Sequence, residues 1–306
     1  MAIPTTRTSE TGHIQIDSLL CTGCGACVQV CQDGCIEIKN QLAQSAPNPL
    51  LGCVACGHCM AVCPHGAIVV SGRTLQREDL IDFDGTVQQF NYNQLLALFQ
   101  RRRSMRNFLE KEIDPQLTQQ ILNAASFAPM GVPPSDVGVV VWQGAKANAE
   151  FLTDFVDLVQ SQKWIFSKPM LQFLRPFIGK EDYKMLRNFV VPALHQIVND
   201  AQKGKNILTY NAPLAMYFYG SPTASQADPV IAATLAMYAG EALGLSTCMI
   251  GMVHPMIQNG IKAQQFRKKY AIEHKSKSGL VVIFGYAACS FQKGIKRSFA
   301  KVSIID

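Results

Sequence analysis

The sequence predicts an α+β protein made of two parts, a small pseudo-symmetric N-terminal domain and a larger domain in which helices and strands alternate. Three observations lead to this prediction. A cysteine-rich segment occurs twice near the N-terminus, helical and strand-like patterns alternate later in the chain, and 48% of the 306 residues are hydrophobic. Apolar content at this level is typical of globular proteins. We place the first domain at residues 1–70, a linker at 71–90 and the second domain at 91–306.

Charge and hydropathy exclude several classes of protein. The formal net charge is +6, but residues 1–70 hold only two basic side chains against four acidic ones, so the positive charge is not spread as in a typical nucleic-acid-binding protein. No apolar run approaches the roughly 18–20 residues that a membrane span needs. The N-terminus lacks the basic start and the apolar stretch of a signal peptide. We therefore expect a cytoplasmic protein that binds neither nucleic acid nor membranes.

The first domain contains an internal repeat of cysteines. The segment CTGCGACVQVC at Cys21–Cys31 recurs as CVACGHCMAVC at Cys53–Cys63, so all four cysteine positions repeat at one constant offset. Three thiolates at C-x2-C-x2-C spacing on one loop suit three corners of an iron-sulfur cube, with the fourth corner supplied from elsewhere. The alternative is zinc, which usually binds paired C-x2-C knuckles and does not use a third cysteine so close.

This segment resembles the bacterial two-cluster ferredoxins over about 50 residues, in which the fourth cysteine of each motif binds the other cluster. The resemblance implies two [4Fe-4S] clusters. One is expected to bind Cys21, Cys24, Cys27 and Cys63, and the other Cys53, Cys56, Cys59 and Cys31. Gln32 stands where these ferredoxins usually have proline. The remaining cysteines, which are Cys35, Cys248 and Cys289, are interpreted as packing residues, and His58 and His65 as loop residues.

The second domain begins with helical patterns. An apolar face containing Leu95 and Phe99 ends in three arginines, and Asp114 followed by Pro115 is a helix start that leads to a helix ending near Ser126. The later predicted elements are a buried strand at Val137–Trp142, mostly helical residues 150–203, a buried strand at Leu214–Tyr219, a helix at Val230–Leu243 capped by Asp228 and Pro229, and strands at Ser246–Ile250 and Leu280–Gly285 around a polar helix near 255–270. The Val230–Leu243 helix is apolar on nearly all sides, which requires burial all round.

A basic run follows the first of these helices. Between Arg102 and Arg106 the sequence RRSMR places three guanidinium groups and one hydroxyl close together in sequence, which suits bidentate binding of a phosphate. On its own the run is better explained as a solvated basic helix end, which the helix dipole favours. Three later segments favour the binding interpretation of the run when they are taken together with it. They are Ala128–Gly131, the sequence GLSTCMIG after the apolar helix, and LVVIFGY with Lys296 and Arg297 after it.

In this order the segments resemble the FMN-dependent nitroreductase family over essentially all of residues 91–306. The resemblance implies a mixed sheet with surrounding helices, and a homodimer with shared flavin sites. The low charged fraction of 16% also fits a subunit interface. The implied FMN-binding residues are Arg102, Arg103, Ser104, Arg106, Pro129, Met130, Gly131, Ile250, Gly251, Lys296 and Arg297. Met130 replaces the family's serine, and residues 133–137 depart from the family's Asn-x-Gln-Pro-Trp stretch.

No catalytic side chain is assigned, because FMN carries the chemistry in this family. His254 is a weak candidate, since a residue before Pro255 at a helix entry is more often structural. The region from Met249 to His254 has no acidic residue of the kind that approaches a nicotinamide in some relatives, which argues against NAD(P)H as the direct donor. Four aromatic residues at helical spacing are interpreted as core or dimer contacts rather than as the lining of a substrate pocket. They are Trp164, Phe166, Phe173 and Phe177.

The leading functional hypothesis is an enzyme that relays electrons from a low-potential donor, such as ferredoxin or flavodoxin, through two [4Fe-4S] clusters to FMN. The electrons then pass to an electron-poor small molecule such as a nitroaromatic, a quinone or an activated double bond. One alternative is an electron-transfer or redox-sensing protein without a small substrate. Another is a family offshoot that consumes its own flavin or dehalogenates substrates.

Overall fold

The structure, a computed structural model, describes residues 2–83 and 91–305. The chain forms two compact units. The N-terminal unit contains residues 2–83 together with two later segments, Pro129–Val137 and Gly220–Asp228. The C-terminal unit contains the other described residues. The N-terminal unit thus extends past residue 70 and includes segments from much later in the chain.

The N-terminal unit is built from two β-ribbons and two short helices. Its elements are β1 (His13–Ile16), α1 (Ala26–Val30), β2 (Ile36–Lys39), β3 (Leu42–Ser45), α2 (His58–Val62) and β4 (Ile68–Ser71). Strand β1 pairs antiparallel with β4, and β2 with β3. A short strand follows each cysteine motif, β2 after the first and β4 after the second. Between the two sheets and the helices lies a small core that includes Ile36, Met60 and Val70.

The two cysteine motifs have the same backbone. The helices α1 and α2 each begin after a glycine in the left-handed conformation, Gly25 at φ 79° and Gly57 at φ 76°, which a residue with a Cβ rarely adopts. At the ends of the helices, Cys31 N donates to Val28 O and Cys63 N donates to Met60 O, both at 3.3 Å. The turn is therefore the same in both repeats, although Gln32 follows one and Pro64 the other.

The predicted linker is partly an ordered piece of the N-terminal unit. Residues Gly72 and Leu75 form an antiparallel bridge, and a 3-10 turn covers Arg77–Asp79. Residues 84–90 of the predicted linker lie outside the described residues. Arg73 at the tip of the Gly72–Leu75 turn is buried, with 3% of its surface exposed, because its guanidinium group bonds to three backbone oxygens of the unit. An arginine of the predicted linker is thus part of the packing.

A second anchor joins the start of the chain to the Pro129–Val137 segment. The Asp136 carboxylate accepts hydrogen bonds from Thr6 N at 3.0 Å and Thr6 Oγ1 at 2.8 Å, and it also accepts from Ser221 Oγ and Thr223 Oγ1 at 2.9 Å each. Burial acts to raise the pKa of Asp136, but these hydrogen bonds outweigh burial and lower the pKa below its ordinary value. Pro133 and Asp136, which lie in the stretch that departs from the family pattern, thus make contacts within the N-terminal unit.

The C-terminal unit is a four-stranded sheet with helices. Its elements are α3 (Tyr92–Arg101), α4 (Pro115–Ser126), β5 (Val137–Gln143), α5 (Gly144–Ser161), α6 (Lys168–Ile178), α7 (Lys180–Met185), α8 (Val191–Gln202), β6 (Leu214–Gly220), α9 (Asp228–Ala242), β7 (Ser246–Ile250), α10 (Val253–Met256), α11 (Ile261–Lys269) and β8 (Gly279–Gly285). The strand order is β5-β6-β8-β7, and β8 pairs antiparallel with both β6 and β7. The predicted α+β class and the predicted strands are confirmed.

The core of this unit lies around β6, which is buried along its whole length. Aromatic side chains pack against it: the Trp142 and Phe151 rings are stacked with centroids 4.2 Å apart, and Phe155 is fully buried nearby. The capping prediction for α4 is also confirmed, since Asp114 Oδ1 accepts a hydrogen bond from Gln116 N at 2.8 Å.

Several burial predictions are wrong for the single chain. Strand β5 is only half-buried, with Trp142 as its one buried side chain. On α9, which the sequence predicts to be buried all round, Val230 is 38% exposed. The predicted polar helix near 255–270 is divided into α10 and α11. An apolar pattern predicts that a face is buried but does not identify what buries it. Within the single chain these faces are not fully buried.

Among the described residues, no helix combines the length and the apolar character that crossing a membrane requires. This agrees with the hydropathy of the sequence.

Candidate functional site

The first predicted set of four thiols surrounds one cavity of the N-terminal unit. Its lining includes Cys21, Cys24, Cys27 and Cys63. Three of these come from the first repeat, and the fourth is the last cysteine of the second repeat. Within the described ranges, no three His, Cys, Asp or Glu side chains are close enough to hold a single metal ion. All four thiols nevertheless line one cavity, and a four-iron cluster needs four such ligands.

The second set of thiols is also close together. The pKa of the Cys59 thiol is raised to about 12, first by burial and then by neighbouring thiols. Those neighbours are Cys53, Cys56 and Cys31. The structure therefore brings together the same four cysteines that the ferredoxin resemblance grouped. Bringing four thiols together without a counter-charge is unfavourable for their ionised forms, and a bound cation cluster would remove that cost.

Backbone N–H groups point at the sulfurs of both sets. Cys35 N donates to Cys31 Sγ and Ala67 N donates to Cys63 Sγ, each at 3.3 Å, in equivalent positions of the two repeats. Ala43 N and Ala55 N donate to Cys21 Sγ and Cys53 Sγ, each at 3.4 Å. Such bonds stabilise negative charge on sulfur and tune the reduction potential of a bound cluster. They fit thiolate ligands.

The other cysteines and histidines have mixed outcomes. Cys35 and Cys248 are buried, as predicted for packing residues, but Cys289 is exposed and the packing interpretation of it is wrong. His58 is not a loop residue, since it begins α2, while His65 lies in the turn after Cys63 and lines the first cavity.

A basic cavity of about 870 Å³ lies in the C-terminal unit. Six of the residues that line it are cations, contributed by the end of α3 and by the C-terminal tail. They are Arg101, Arg102, Arg103, Lys293, Lys296 and Arg297. Apolar walls come from Leu96, Phe99 and Tyr238, the last two with ring centroids 4.8 Å apart. Cations from the two ends of the C-terminal unit's sequence therefore share one cavity, which makes it a candidate phosphate site.

Arg103 carries the clearest sign of a ligand in this cavity. Its Nη1 donates to the backbone oxygen of Arg102 at 2.7 Å, whereas its Nη2 is buried and has no hydrogen-bond partner among the described residues. Gly294 leaves room beside it, because a Cβ at that position would come within 3.4 Å of Nη2. A buried donor without an acceptor costs about 1–3 kcal/mol, and a phosphate oxygen would satisfy it. The residues present therefore fit an anionic phosphate.

A buried carboxylate holds the basic run in place. Glu241 Oε1 on α9 accepts hydrogen bonds from Thr247 N at 3.0 Å and from Thr247 Oγ1 at 2.7 Å. Burial raises the pKa of Glu241, and the bonds from Thr247 and the nearby charge of Arg102 oppose that rise. Thr247 O in turn accepts from Met105 N at 2.9 Å. Through this chain of contacts β7 and α9 fix the backbone next to Arg103.

Other residues implied by the resemblance lie away from this cavity. Ser104 forms a parallel bridge with Thr247, and Arg106 is exposed with its guanidinium carbon 5.9 Å from the Tyr210 ring centroid. Residues Pro129, Met130 and Gly131 belong to the N-terminal unit, where Gly131 N lies 3.5 Å from Asp228 Oδ2. Ile250 ends β7, and a Cβ at Gly251 would meet no atom within 4 Å, which leaves room for a group there.

His254 is held in a buried hydrogen-bonded group rather than left free for catalysis. Its Nδ1 lies 2.8 Å from Tyr217 Oη and 3.3 Å from Gln258 Nε2. Burial lowers the pKa of His254, with a hydrogen bond to the Lys277 backbone opposing the shift. The hydrogen bond to Tyr217 links α10 to β6, which favours the structural interpretation.

The aromatic residues proposed as core or dimer contacts are divided by their exposure. Phe166 packs against the core of the C-terminal unit. Trp164, Phe173 and Phe177 are 60%, 67% and 76% exposed, so they are not core residues in the single chain. A role in a dimer contact stays a prediction for these three.

Sequence reasoning missed four residues that the structure places at the sites. Arg101 and Lys293 line the basic cavity, Glu241 supports it, and Arg73 lies near Cys53. For Glu241 a signal was present, since it is the one charged residue within the otherwise apolar stretch Val230–Leu243. Arg73 fell outside the predicted domain, so its charge was assigned to a linker.

Comparison with known proteins agrees with this division of sites. Residues 20–68 match the 4Fe-4S dicluster domain, and residues 99–286 match the nitroreductase family. A solved nitroreductase with bound FMN from Bacteroides fragilis NCTC 9343 is 19% identical, covers 70% of this chain and 100% of its own, and has a TM-score of 0.51. A nitroreductase with bound FMN from Desulfitobacterium hafniense DCB-2 is 21% identical over 71% of this chain and 100% of its own, with a TM-score of 0.49.

No curated protein matches the chain. The Bacteroides structure shares the fold of the C-terminal part. Because the nitroreductase match extends over more than half of the chain, the chain belongs to the nitroreductase family, with an N-terminal segment that matches a 4Fe-4S dicluster domain.

Proposed function

We propose that this protein is an iron-sulfur flavoenzyme that passes electrons from a low-potential donor to an electron-poor organic acceptor. When bound, two [4Fe-4S] clusters supply one-electron transfer and FMN stores two electrons for delivery to the acceptor. The donor class includes ferredoxin and flavodoxin, and the acceptor class includes nitroaromatics, quinones and activated double bonds. The observation that carries the proposal is the presence, in one nitroreductase chain, of two sets of four thiols.

The basic cavity supports the FMN assignment. Arg102, Arg103, Lys296 and Arg297 are the residues that would hold the phosphate, with Arg103 Nη2 as the donor that lacks a partner among the described residues. The charge of these side chains also makes FMN binding sensitive to ionic strength. Ile250 and Gly251 are the backbone positions that the family resemblance assigns to the reactive edge of the flavin.

The two thiol sets support the cluster assignment. The first consists of Cys21, Cys24, Cys27 and Cys63, and the second of Cys53, Cys56, Cys59 and Cys31. Each set contains sulfurs that accept a backbone N–H, which favours ionised ligands. Expected contents are about eight iron and eight sulfide per chain with one FMN.

Exposed apolar side chains support a homodimer. Besides Val230 on α9, the C-terminal tail exposes Phe299 at 85% and Ile304 at 84% of their surfaces. Exposed apolar surface of this extent is typical of an interface. Sedimentation is expected to give a dimer, and a stable monomer that still binds FMN would contradict the shared flavin site. We propose a cytoplasmic location on the same grounds as in the sequence analysis.

The covalent link between the two halves favours relay over a separate carrier. A tethered pair of redox sites has a high effective concentration, so electron transfer does not need a diffusional encounter. No acidic residue that would approach a nicotinamide follows β7 up to His254, in accord with a protein carrier as electron source.

Replacing one thiol tests the relay. Cys56→Ser is expected to keep FMN content within about 20% of the parent while lowering turnover with a viologen donor at least about tenfold, because the second thiol set is incomplete. Cys289→Ser is the matched control, since Cys289 is exposed and far from either motif in sequence. Rapid mixing of the parent should show cluster bleaching before flavin reduction. If Cys56→Ser is reduced by the same donor as fast as the parent, the clusters are not on the path.

A further inference from the structure

The N-terminal unit contains a buried positive charge that no carboxylate neutralises among the described residues. Arg73 is 3% exposed, and its donors reach only backbone oxygens: Nη1 to Glu10 O at 2.6 Å, Nη2 to Ile3 O at 2.9 Å, and Nη2 and Nε to Pro133 O at 2.8 Å and 3.2 Å. No ion pair in the described part of the chain includes Arg73. Carbonyl oxygens satisfy its hydrogen bonds but leave its full charge in a place where water screens it little.

The charge of Arg73 acts on one of the two thiol sets. Arg73 Nη1 donates to Glu10 O, and two residues further on Gly12 N donates to Cys53 O at 2.7 Å. A Cβ at Gly12 would come within 2.9 Å of Cys53 Sγ, so the segment that Arg73 binds lies against this ligand. Cys53 Sγ also accepts a hydrogen bond from Ala55 N at 3.4 Å. The buried guanidinium and the second thiol set therefore belong to one electrostatic neighbourhood.

The internal repeat provides a comparison for the other thiol set. The offset that relates the two cysteine motifs also relates Arg73 to Gln41, and the two residues share a left-handed backbone at φ 52° and φ 61°. The turn with Gln41 lies beside the first motif, because Ala43 N donates to Cys21 Sγ at 3.4 Å. Gln41 is neutral and exposed, so the turn next to Cys21 lacks the buried charge that its counterpart near Cys53 has.

We infer that Arg73 sets the two clusters at different reduction potentials, by making the cluster at Cys53 easier to reduce than the cluster at Cys21. The inference rests on the proposed function, because it requires that both clusters are bound. Reduction adds one electron from the donor, changes the charge of a cluster with four thiolates from about −2 to −3, and transfers no proton. A buried positive charge stabilises the more negative state. A unit charge about 10 Å away at an effective dielectric constant near 20 changes such an equilibrium by about tenfold or more.

The consequence for function is that one of the two clusters in the N-terminal unit is the preferred location for an electron. An electron that enters either cluster comes to rest on the one bound by Cys31, Cys53, Cys56 and Cys59. Exposed cations of the same unit, such as Arg77, do not produce this difference, because solvent and salt screen them.

A redox titration of the anaerobically purified full chain, followed by electron paramagnetic resonance, tests the inference. The parent is expected to show two one-electron waves whose equilibrium constants differ at least about tenfold, which corresponds to 59 mV. Arg73→Gln, which introduces the residue of the equivalent position, should move the upper wave down by about tenfold and the lower wave by less than about threefold. Arg77→Gln is the matched control and should move neither wave by more than about threefold.

Two further variants separate charge from structure. Arg73→Lys keeps the charge but cannot reproduce the four hydrogen bonds. Because the charge is what separates the two potentials, the two waves should stay apart in this variant. Cys56→Ser should alter the upper wave and Cys24→Ser the lower one, which assigns the waves even if Arg73→Gln fails to load iron. The inference is overturned if Arg73→Gln leaves both waves in place, if Arg73→Lys collapses the separation, or if the two serine variants give the reverse assignment. A parent protein without iron, sulfide or a reducible signal would instead contradict the proposed function itself.

Discussion

Replacing Arg103 by methionine is expected to have opposite effects on FMN binding and on the stability of the FMN-free protein. The guanidinium lines the basic cavity, and its Nη2 is buried without an acceptor among the described residues. A charge-assisted hydrogen bond to a phosphate is worth about 1.5–3 kcal/mol, so the Kd for FMN should rise about ten- to a hundredfold. Methionine has similar length and apolar character, so the cavity wall is retained.

The FMN-free chain should become slightly more stable in the same variant. Removing the unsatisfied Nη2 should raise the free energy of unfolding by about 1–3 kcal/mol. Losing the hydrogen bond from Nη1 to Arg102 O, which is 2.7 Å long, should lower it by about 1 kcal/mol. The net gain of about 1 kcal/mol corresponds to a rise in Tm of about 2–4 °C for a unit of this size. A variant that merely damaged the fold would lower both affinity and Tm, so the opposite signs identify a binding residue.

Calorimetric FMN titration and thermal unfolding of the FMN-free chain, both at one fixed salt concentration, measure the two effects. Arg106→Met is the control, because Arg106 is exposed against the Tyr210 ring and does not line the cavity. Its Kd should change less than about threefold. An unchanged Kd for Arg103→Met, or an equal loss in both variants, would mean that the phosphate binds outside this cavity.

Three further predictions concern the supports of the two sites. Glu241→Ala should lower the free energy of unfolding by about 3 kcal/mol in urea titrations, since it leaves two buried donors without an acceptor; an effect below about 0.5 kcal/mol would contradict this. Asp136→Asn should speed tryptic cleavage within residues 2–10 about tenfold at pH 7, and equal cleavage rates would refute the anchor. Because the folded pKa of Asp136 is lowered, the hydrogen bonds of its carboxylate should protect the parent above the ordinary pKa near 3.9. That protection should be lost as the pH falls through the lowered value. Cys63→Ser should lose at least about four of eight iron per chain while Cys35→Ala keeps them all, as iron analysis can establish.

The sequence predicted features that depend on local patterns. The constant offset revealed the two motifs because ligand spacing is a local property of each loop, whereas the exchange of the fourth cysteine between the two sets came from the ferredoxin resemblance. Asp114 was recognisable as a helix cap for the same reason. The meeting of Arg103 with Arg297 was accessible only through the family resemblance, since no local pattern relates positions so far apart.

Contacts between distant segments were not predictable from one sequence. Arg73 binds the backbone oxygen of Pro133, and Thr6 binds the carboxylate of Asp136, 130 residues away. Neither pair has a periodicity or a motif that would connect its members. The apolar pattern of the Val230–Leu243 segment predicted burial but did not state what buries it, so part of that prediction failed for the single chain.

The composition of the N-terminal unit limits how this protein can be taken apart or recombined. A fragment ending near residue 83 would lack the Pro133 oxygen that Arg73 binds and the Asp136 carboxylate that Thr6 binds. The cysteine-rich region is therefore not an interchangeable module, although its sequence is contiguous. Transplanting it onto another nitroreductase would require the recipient to carry an equivalent of Pro129–Val137 as well.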